Sequence, residues 1–155
     1  MEGAVAVFLM NPVLGEVVAT PHRQGVKIVA TFKKLPPGKH GFHIHNAGDL
    51  RGEGCLGLCE HYDRGGHKHG GPPSSTQERH TGDLGNVEVG TYRYYLPHVR
   101  IRDLWGRSII VHEDEDDLGK GSWEDSHTTG HSGKRIGCAI FGRALCPAQR
   151  VTRKK

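Results

Sequence analysis

Histidine is the residue type whose spacing in this sequence points most directly to chemistry. His43 and His45 form a His-x-His pair within Gly41-Phe42-His43-Ile44-His45. Because alternate residues of a β-strand point to the same face of the sheet, this pair presents two imidazole nitrogens to one ion. Imidazole is a ligand that suits both copper and zinc. The spacing therefore predicts part of a metal site on a strand.

A second group of candidate ligands follows within the segment 61–83. Four histidines lie in it, and an aspartate comes three residues after the last: His61, His67, His69, His80 and Asp83. A single carboxylate that completes a histidine cluster is an ordinary zinc pattern. A lone histidine is most simply a surface or hydrogen-bonded residue, but 12 histidines in 155 residues favour metal binding. We interpret the two groups together as a two-metal site.

The elements that must hold these ligands are predicted to be short strands joined by loops. The 23 glycines, the low aromatic content of 6% and the lack of helical periodicity favour an all-β domain over a helical bundle. Strand patterns fall at 4–10, 16–20, 26–32, around His43 and His45, 87–111 and 136–144. Within 87–111, Val99 and Ile101 alternate with Arg100 and Arg102, which predicts extended chain there.

Two loops interrupt the strands. The segment 47–85 is far longer than an ordinary connection, and 119–133 is rich in glycine, serine and threonine. Loops of this length in compact domains are usually functional or disordered. The histidine, aspartate and cysteine content of the first favours a functional loop held by metal and a disulfide.

Length and charge limit the remaining classes of protein. The chain is predicted to be one domain, 1–155, with a basic tail at about 147–155. The net charge of +4 suits a small anionic ligand and gives little support to nucleic-acid binding. No apolar run reaches the ~20 residues of a membrane span, and Met1 to Val5 lack a signal-peptide pattern, so we expect a cytoplasmic protein that binds no membrane.

Seven motifs in a fixed order, covering about residues 4–144, resemble the Cu,Zn superoxide dismutase family in its eukaryotic cytosolic form. They are Gly41-Phe42-His43-Ile44-His45, Gly54-Cys55 with His61, Lys68-His69-Gly70-Gly71-Pro72, Arg79-His80-Thr81-Gly82-Asp83-Leu84-Gly85-Asn86-Val87, Gly106-Arg107 through Val111-His112-Glu113, Asp116-Asp117-Leu118-Gly119-Lys120-Gly121 and Gly133-Lys134-Arg135-Ile136-Gly137-Cys138. The resemblance implies a Greek-key β-barrel or sandwich of about eight antiparallel strands, similar to the immunoglobulin fold, with a long metal-binding loop and a second, electrostatic loop.

The resemblance also implies two ligand sets that share one histidine. The copper ligands would be His43, His45, His61 and His112. The zinc ligands would be His61, His69, His80 and Asp83. Asp116 would join a copper histidine to a zinc histidine from behind, Arg135 and Thr129 would border the copper channel, and Cys55 would pair with Cys138 in a disulfide.

The implied reaction is the dismutation of superoxide to oxygen and hydrogen peroxide. Copper would cycle between two oxidation states, His61 would take part as the bridging ligand, and Arg135 would attract the anion. A homodimer is expected, with Trp105-Gly106 and Ile140-Phe141-Gly142 at the family's interface positions, although Arg143 is charged where relatives are apolar. A copper chaperone is a candidate partner.

A few residues differ from the family pattern, and other classes of protein are considered as alternatives. By spacing, His67 is an alternative to His69, but His69-Gly70-Gly71 keeps the family motif, and Thr128 stands where many relatives have a channel lysine. The remaining histidines, His22, His40, His98, His127 and His131, are expected mostly at the surface, and Cys59 and Cys146 are expected to be free thiols. The alternatives are a non-catalytic copper-binding or copper-delivery protein of the same fold, a metal store and a zinc hydrolase. The last is disfavoured because no His-Glu-x-x-His motif is present.

Overall fold

The chain folds into two antiparallel β-sheets that enclose one apolar core. The computed structural model describes residues 2–72 and 78–144. One sheet has the strand order β6-β3-β2-β1-β9 and the other has the order β5-β4-β7-β8. The strands are β1 (Ala4–Phe8), β2 (Leu14–His22), β3 (Gly25–Lys34), β4 (His40–His45), β5 (Asp83–Val87), β6 (Gly90–Pro97), β7 (Ser108–His112), β8 (Arg135–Ile140) and β9 (Gly142–Arg143).

The apolar residues alternate along these strands as a half-buried sheet requires. In β3, Val26, Ile28, Ala30 and Phe32 are buried and face the core between the sheets, while Lys27 is exposed. This arrangement confirms the predicted all-β Greek-key fold. No helix in the described residues has the length and apolar character needed to cross a bilayer.

Strand β4 has an unusual burial pattern because all six of its residues are buried. Phe42 and Ile44 belong to the core, and His43 and His45 point away from it under the long loops. The strand lies in the middle of its sheet, between β5 and β7. The sheet therefore supplies a rigid base, and the loops supply a cover, for two imidazoles on one face.

The expectation of extended chain around 99–103 is wrong. Residues Ile101–Leu104 form a short α-helix, α1, in which Ile101 and Leu104 are both buried. The Asp103 carboxylate accepts a hydrogen bond of 2.8 Å from the Arg100 backbone amide at its start, which is a helix-capping contact. Two apolar residues three apart share one face of a helical turn, and the neighbouring alternation in the sequence concealed this spacing.

The last predicted strand is also divided. Residues 136–144 were expected to form one strand, but the chain leaves the four-stranded sheet after Ile140, and β9 pairs with β1 in the other sheet through Ala4–Arg143 and Val5–Gly142. The chain therefore crosses between the sheets at Phe141, which is buried in the core. Pro97 ends β6 at the edge of the five-stranded sheet, where a missing backbone donor costs least.

Candidate metal centre

Four histidines converge where β4, β7 and the start of the long loop meet. His43 and His45 come from β4, His112 ends β7, and His61 forms an isolated backbone bridge with His45. In the antiparallel register His43 lies opposite Ile110, so His112, two residues further along β7, is on the same face. One potential ligand atom from each of the four lies within 4.8 Å of those of the others.

Each of these histidines has one ring nitrogen held by the protein. His43 Nε2 is 2.5 Å from Asp116 Oδ2, and His61 Nδ1 is 2.9 Å from Asp83 Oδ1. His45 Nδ1 donates to the carbonyl of Cys59 at 2.9 Å, and His112 Nδ1 donates to that of Gly133 at 3.2 Å. Such contacts fix the ring orientation and the tautomer of a metal-binding histidine.

The second ring nitrogen of each histidine is buried without a hydrogen-bond partner among the described residues. These atoms are His43 Nδ1, His45 Nε2, His61 Nε2 and His112 Nε2. Buried polar atoms are almost always paired, so four such atoms in one cluster call for an explanation. A copper ion bound by four imidazoles would satisfy all of them at once. The residues present therefore fit this cofactor.

A second cluster is centred on the carboxylate of Asp83. Its Oδ1 is 2.9 Å from His61 Nδ1, 2.9 Å from His69 Nδ1 and 3.4 Å from His80 Nδ1. Its Oδ2 accepts hydrogen bonds from the backbone amides of Gly70 at 2.9 Å and His80 at 3.0 Å. The structure thus brings together all four residues that the sequence predicts for zinc, with His61 at the junction of the two clusters.

The tightest potential ligand group at this position differs in one member from the predicted set. Ligand atoms of His43, His61, His69 and Asp83 lie within 4.8 Å of one another, so His43 takes the place of His80 in that group. His80 is slightly further out, with its ring 5.3 Å from that of His61 and 5.7 Å from that of His69. The assignment of His80 to zinc stays a prediction.

Asp116 lies behind both clusters. Its carboxylate contacts His43 Nε2 at 2.5 Å and His69 Nε2 at 2.7 Å, and it is fully buried. Asn86 fixes its backbone, donating to the Asp116 carbonyl at 2.9 Å and accepting from the Asp116 amide at 2.7 Å. Sequence reasoning assigned no role to Asn86, because an isolated asparagine gives no signal for a contact 30 residues away.

Burial sets the protonation of the first cluster. It lowers the pKa of His45 to about 2, aided by the neighbouring His61, and it lowers the pKa of His112 to about 4. Burial likewise holds the pKa of His43 and His61 below the ordinary value. These rings are therefore neutral near pH 7, and the neutral imidazole is the form that binds a metal.

The second cluster carries the opposite balance. Burial lowers the pKa of His69, but hydrogen bonds with Asp116 and Asp83 outweigh it and raise the pKa to about 9. Burial opposes ionisation of Asp83, but its hydrogen bonds with His61, His69 and His80 outweigh burial and lower its pKa. Burial raises the pKa of Asp116. A cation bound here would replace the proton of His69 with its own charge.

A cleft of about 910 Å³ opens onto the first cluster. The predicted channel residues Thr129 and Arg135 both line it, together with His45, His61 and His112. The Arg135 guanidinium donates to the carbonyls of Cys55 at 2.8 Å and Cys59 at 2.7 Å. A fixed cation therefore lies beside the unpartnered nitrogens, as the capture of an anion requires.

The predicted disulfide is confirmed. Cys55 and Cys138 are bonded, with their Cα atoms 6.1 Å apart, which ties the long loop to β8 three residues after Arg135. Cys59 is a free, exposed thiol, as expected. The expectation for Cys146 concerns a position outside the described residues.

Two other histidines complete the comparison with the sequence. His67 contacts Asp63 at 2.9 Å instead of entering the second cluster. His40, expected at the surface, is buried with only 2% exposure, and its ring nitrogens contact the carbonyls of Pro36, His112 and Glu113. Spacing alone does not separate such a hydrogen-bonded core histidine from a surface one.

Comparisons with known proteins agree with this geometry. The family model described as copper/zinc superoxide dismutase matches residues 13–141. A superoxide dismutase [Cu-Zn] of Paramecium bursaria Chlorella virus 1 is 44% identical over an alignment of 150 residues that covers 91% of this chain and 78% of the viral protein. The crystal structure titled as an analysis of the clock protein EA4 has a TM-score of 0.77 and 34% identity, covering 90% of this chain and 93% of the other.

Copper chaperones are also similar. The copper chaperones for superoxide dismutase of rat and mouse are 42% and 43% identical over an alignment of 122 residues that covers 76% of this chain. The matched part spans only 43% of the length of each chaperone. Similarity alone therefore does not separate an enzyme from a copper-delivery domain.

Proposed function

Because the chain belongs to the copper/zinc superoxide dismutase family, we propose that it is a dismutase that converts two superoxide anions and two protons into oxygen and hydrogen peroxide. The observation that carries the proposal is the set of four unpartnered imidazole nitrogens beside the Arg135 guanidinium. A redox-active cation site next to a fixed positive charge suits the one-electron chemistry of a small anion.

We assign copper to His43, His45, His61 and His112, and zinc to His61, His69, His80 and Asp83. Copper would supply the one-electron chemistry, because imidazole ligands suit both of its oxidation states, whereas zinc has no redox chemistry. Zinc would add structural support to the long loop that carries these ligands.

The residues of the chain bind the substrate and manage its protons. Arg135 attracts superoxide and orients it, because the two carbonyl contacts of its guanidinium fix its position in the cleft. Thr129 lines the same cleft, and its side chain would restrict the path of the anion to the histidines. His61, which is shared by the two ligand sets, would carry a proton on its buried Nε2 whenever that atom is not bound to copper.

The second candidate is a copper-delivery protein, which the similarity to rat and mouse copper chaperones favours. A domain that only delivers copper has no need of an anion-binding guanidinium over the metal cluster. In this chain the complete histidine set and Arg135 occur together, and that combination supports the enzyme.

We also propose the wider biological setting of the enzyme. It acts as a single cytoplasmic domain and homodimer, receives copper from a chaperone, and needs neither nucleic acid nor membrane. Trp105 supports the dimer, since it is only half-buried and tryptophan is enriched at protein interfaces.

The test compares turnover in two arginine variants. Protein loaded with one copper and one zinc per chain should remove superoxide catalytically, and R135A should lower the second-order rate constant by at least about tenfold. R93A is the matched control, because Arg93 is an exposed arginine on β6, in the sheet that carries none of the metal-binding histidines. Metal-loaded protein that transfers copper to a metal-free dismutase but shows no turnover would favour the delivery protein instead.

A further inference from the structure

We propose that His131 is a positioning residue of the substrate channel: its imidazole, stacked on Trp123, holds the Asp125 carboxylate in place at the mouth of the cleft. The inference rests on the proposed dismutase function only for its effect on superoxide. Its effect on the entry of any small anion is independent of turnover.

The contact that carries the inference joins two side chains of the second loop, 119–133, which we call the electrostatic loop. His131 Nδ1 lies 2.7 Å from Asp125 Oδ1, which is the distance of a charge-assisted hydrogen bond. The hydrogen bond from His131 keeps the pKa of Asp125 below its ordinary value, so the carboxylate is ionised and Nδ1 is the donor. Both side chains are nearly half exposed, at 45% and 46%.

Trp123 fixes the imidazole from one side. The indole and the imidazole are parallel within 8°, and their centroids are 4.4 Å apart. Trp123 itself is 61% exposed, so it is not part of the core. The indole of Trp123 packs on the imidazole of His131. In this stacked position, Nδ1 of His131 points toward Asp125.

Asp125 is the organising residue of the adjacent turn. Its carbonyl accepts hydrogen bonds from the backbone amides of Thr128 at 3.1 Å, Thr129 at 2.9 Å and Gly130 at 3.2 Å. The hydroxyl of Thr129 also lies 3.4 Å from the Asp125 carboxylate. Asp125, Thr128 and Thr129 all line the cleft that leads to the histidine cluster. The position of this carboxylate is therefore coupled to the rim of the channel.

The charge of Asp125 matters because the cleft receives anions. The other titratable side chains that line it come from the long loop, the electrostatic loop and the strands: His45, Glu60, His61, Asp63, His67, Lys68, His80, His112, His127 and Arg135. Across the cleft Asp63 is held in the same way, by His67 at 2.9 Å. His67 lies within the segment that carries the zinc ligands, whereas His131 lies outside the metal-ligand segments. The effect of His131 on Asp125 can therefore be measured without changing a metal-ligand segment.

The experiment is a double-mutant cycle on protein loaded with copper and zinc, with azide as the anion probe. H131F keeps an aromatic ring on Trp123 but loses the donor, and D125N removes the charge. Azide affinity is followed by the absorption of the bound copper, and superoxide decay is measured in parallel. W123F is the matched control, because it keeps both the stack and the donor.

At low ionic strength D125N, which removes one charge near the channel mouth, should strengthen azide binding and superoxide capture about twofold. H131F should weaken both by up to about twofold, because the Asp125 carboxylate loses the N–H that holds it. In the D125N background H131F should have no further effect, and these differences should shrink at high salt. W123F should behave as the wild type. The gain expected of D125N cannot come from misfolding, so this variant keeps the test valid even if H131F is unstable.

Two results would overturn the inference: H131F without effect in the wild-type background, or the same loss with D125N as without it. The second result would assign His131 a purely structural role in its loop. If neither the wild type nor any variant showed turnover, but the variants changed azide affinity as predicted, the dismutase function would be contradicted and the inference would stand. If the wild type turned over superoxide but the variants did not change azide affinity as predicted, the inference would be contradicted and the dismutase function would stand.

Discussion

The two nitrogens of each imidazole have separate tasks in this centre. One is held by a carboxylate or a carbonyl of the chain, and the other is left buried and unpartnered. Leaving each of those atoms unpaired costs about 1–3 kcal/mol in a protein interior. Binding of a cation to the four nitrogens would remove this cost and is therefore favoured. The family motifs in the sequence predict the four histidines and Asp116, but not the carbonyls of Cys59 and Gly133 that orient His45 and His112.

Asp116 gives the first residue-scale prediction. The D116N variant should bind zinc about 10- to 100-fold more weakly, because an amide offers one acceptor where the carboxylate serves both His43 and His69. Competition with a chromophoric chelator measures the change. E115Q is the control, since Glu115 is exposed and, in the part of the chain that the structure describes, pairs only with Lys39, at 3.8 Å. Unchanged zinc affinity in D116N would show that the two contacts do not support the ligands.

The pH dependence of the metal-free protein follows from the buried histidines. The pKa of His45 is lowered from 6.5 to about 2 and that of His112 from 6.5 to about 4, so the unfolded chain takes up more protons below pH 6.5. The free energy of unfolding should therefore fall between pH 6.5 and pH 4, by up to about 1.4 kcal/mol per histidine for each pH unit.

His69 has the opposite sign. Its pKa is raised from 6.5 to about 9, so its stabilising contribution is complete below pH 6.5 and is lost as the pH rises through 9. Urea unfolding of metal-free protein at several pH values tests both effects. Stability that stays constant or increases on acidification from pH 6.5 to pH 4 would contradict the prediction.

At the scale of elements, the long loop is held by a few strong contacts in addition to the buried side chains of Leu58 and Tyr62. The Cys55–Cys138 disulfide ties it to β8, and Arg135 donates to two of its carbonyls. The loop also provides His61, whose backbone bridges to that of His45 on β4. Its geometry therefore depends on both the covalent link and the metal ligands.

The disulfide can be tested by deletion. Closing a loop across a separation of 83 residues stabilises a protein by about 4.5 kcal/mol in the chain-entropy model. The C55A/C138A variant should lose unfolding free energy of this order and should retain copper less well, because Arg135 and His61 lose their anchor. C59A is the matched control, and chemical denaturation is the measurement. An equal loss in C59A would show that the thiols, and not the bond, are responsible.

Elements with a clear period were predictable, and those that depend on tertiary contacts were not. The alternation of Val26 to Phe32 correctly predicted β3, whereas the alternation around Arg100 concealed the helix α1, whose formation depends on the Asp103 cap and on burial of Ile101 and Leu104. Likewise, no local pattern marks the point at which the last strand leaves one sheet and β9 joins the other. Such crossings are decided by core packing at residues such as Phe141.

At the scale of the whole molecule, the proposed dimer would use the surface around Trp105. The Arg143 guanidinium stacks on the Trp105 ring at 4.1 Å and lies 3.8 Å from Glu2, so a partner must cover a charged side chain there. Replacing it with an apolar residue, in R143I, should tighten the proposed dimer by about tenfold, or ~1.4 kcal/mol.

Sedimentation equilibrium measures this change in the dissociation constant. R93I is the control, because Arg93 is an exposed arginine on β6, at the opposite edge of the same sheet. A dimer that R143I weakens would mean that Arg143 makes a favourable contact across the interface. A chain that stays monomeric in both variants would contradict the dimer.

The central claim is that the chain combines a redox-active copper site with capture of an anion. The most direct test is the decay of superoxide, followed after pulse generation, on protein carrying one copper and one zinc per chain at several ionic strengths. The account predicts a rate constant of about 10⁸–10⁹ M⁻¹s⁻¹ at low salt that falls as salt screens Arg135. Bound copper without catalysis, or catalysis that does not change with salt, would contradict it.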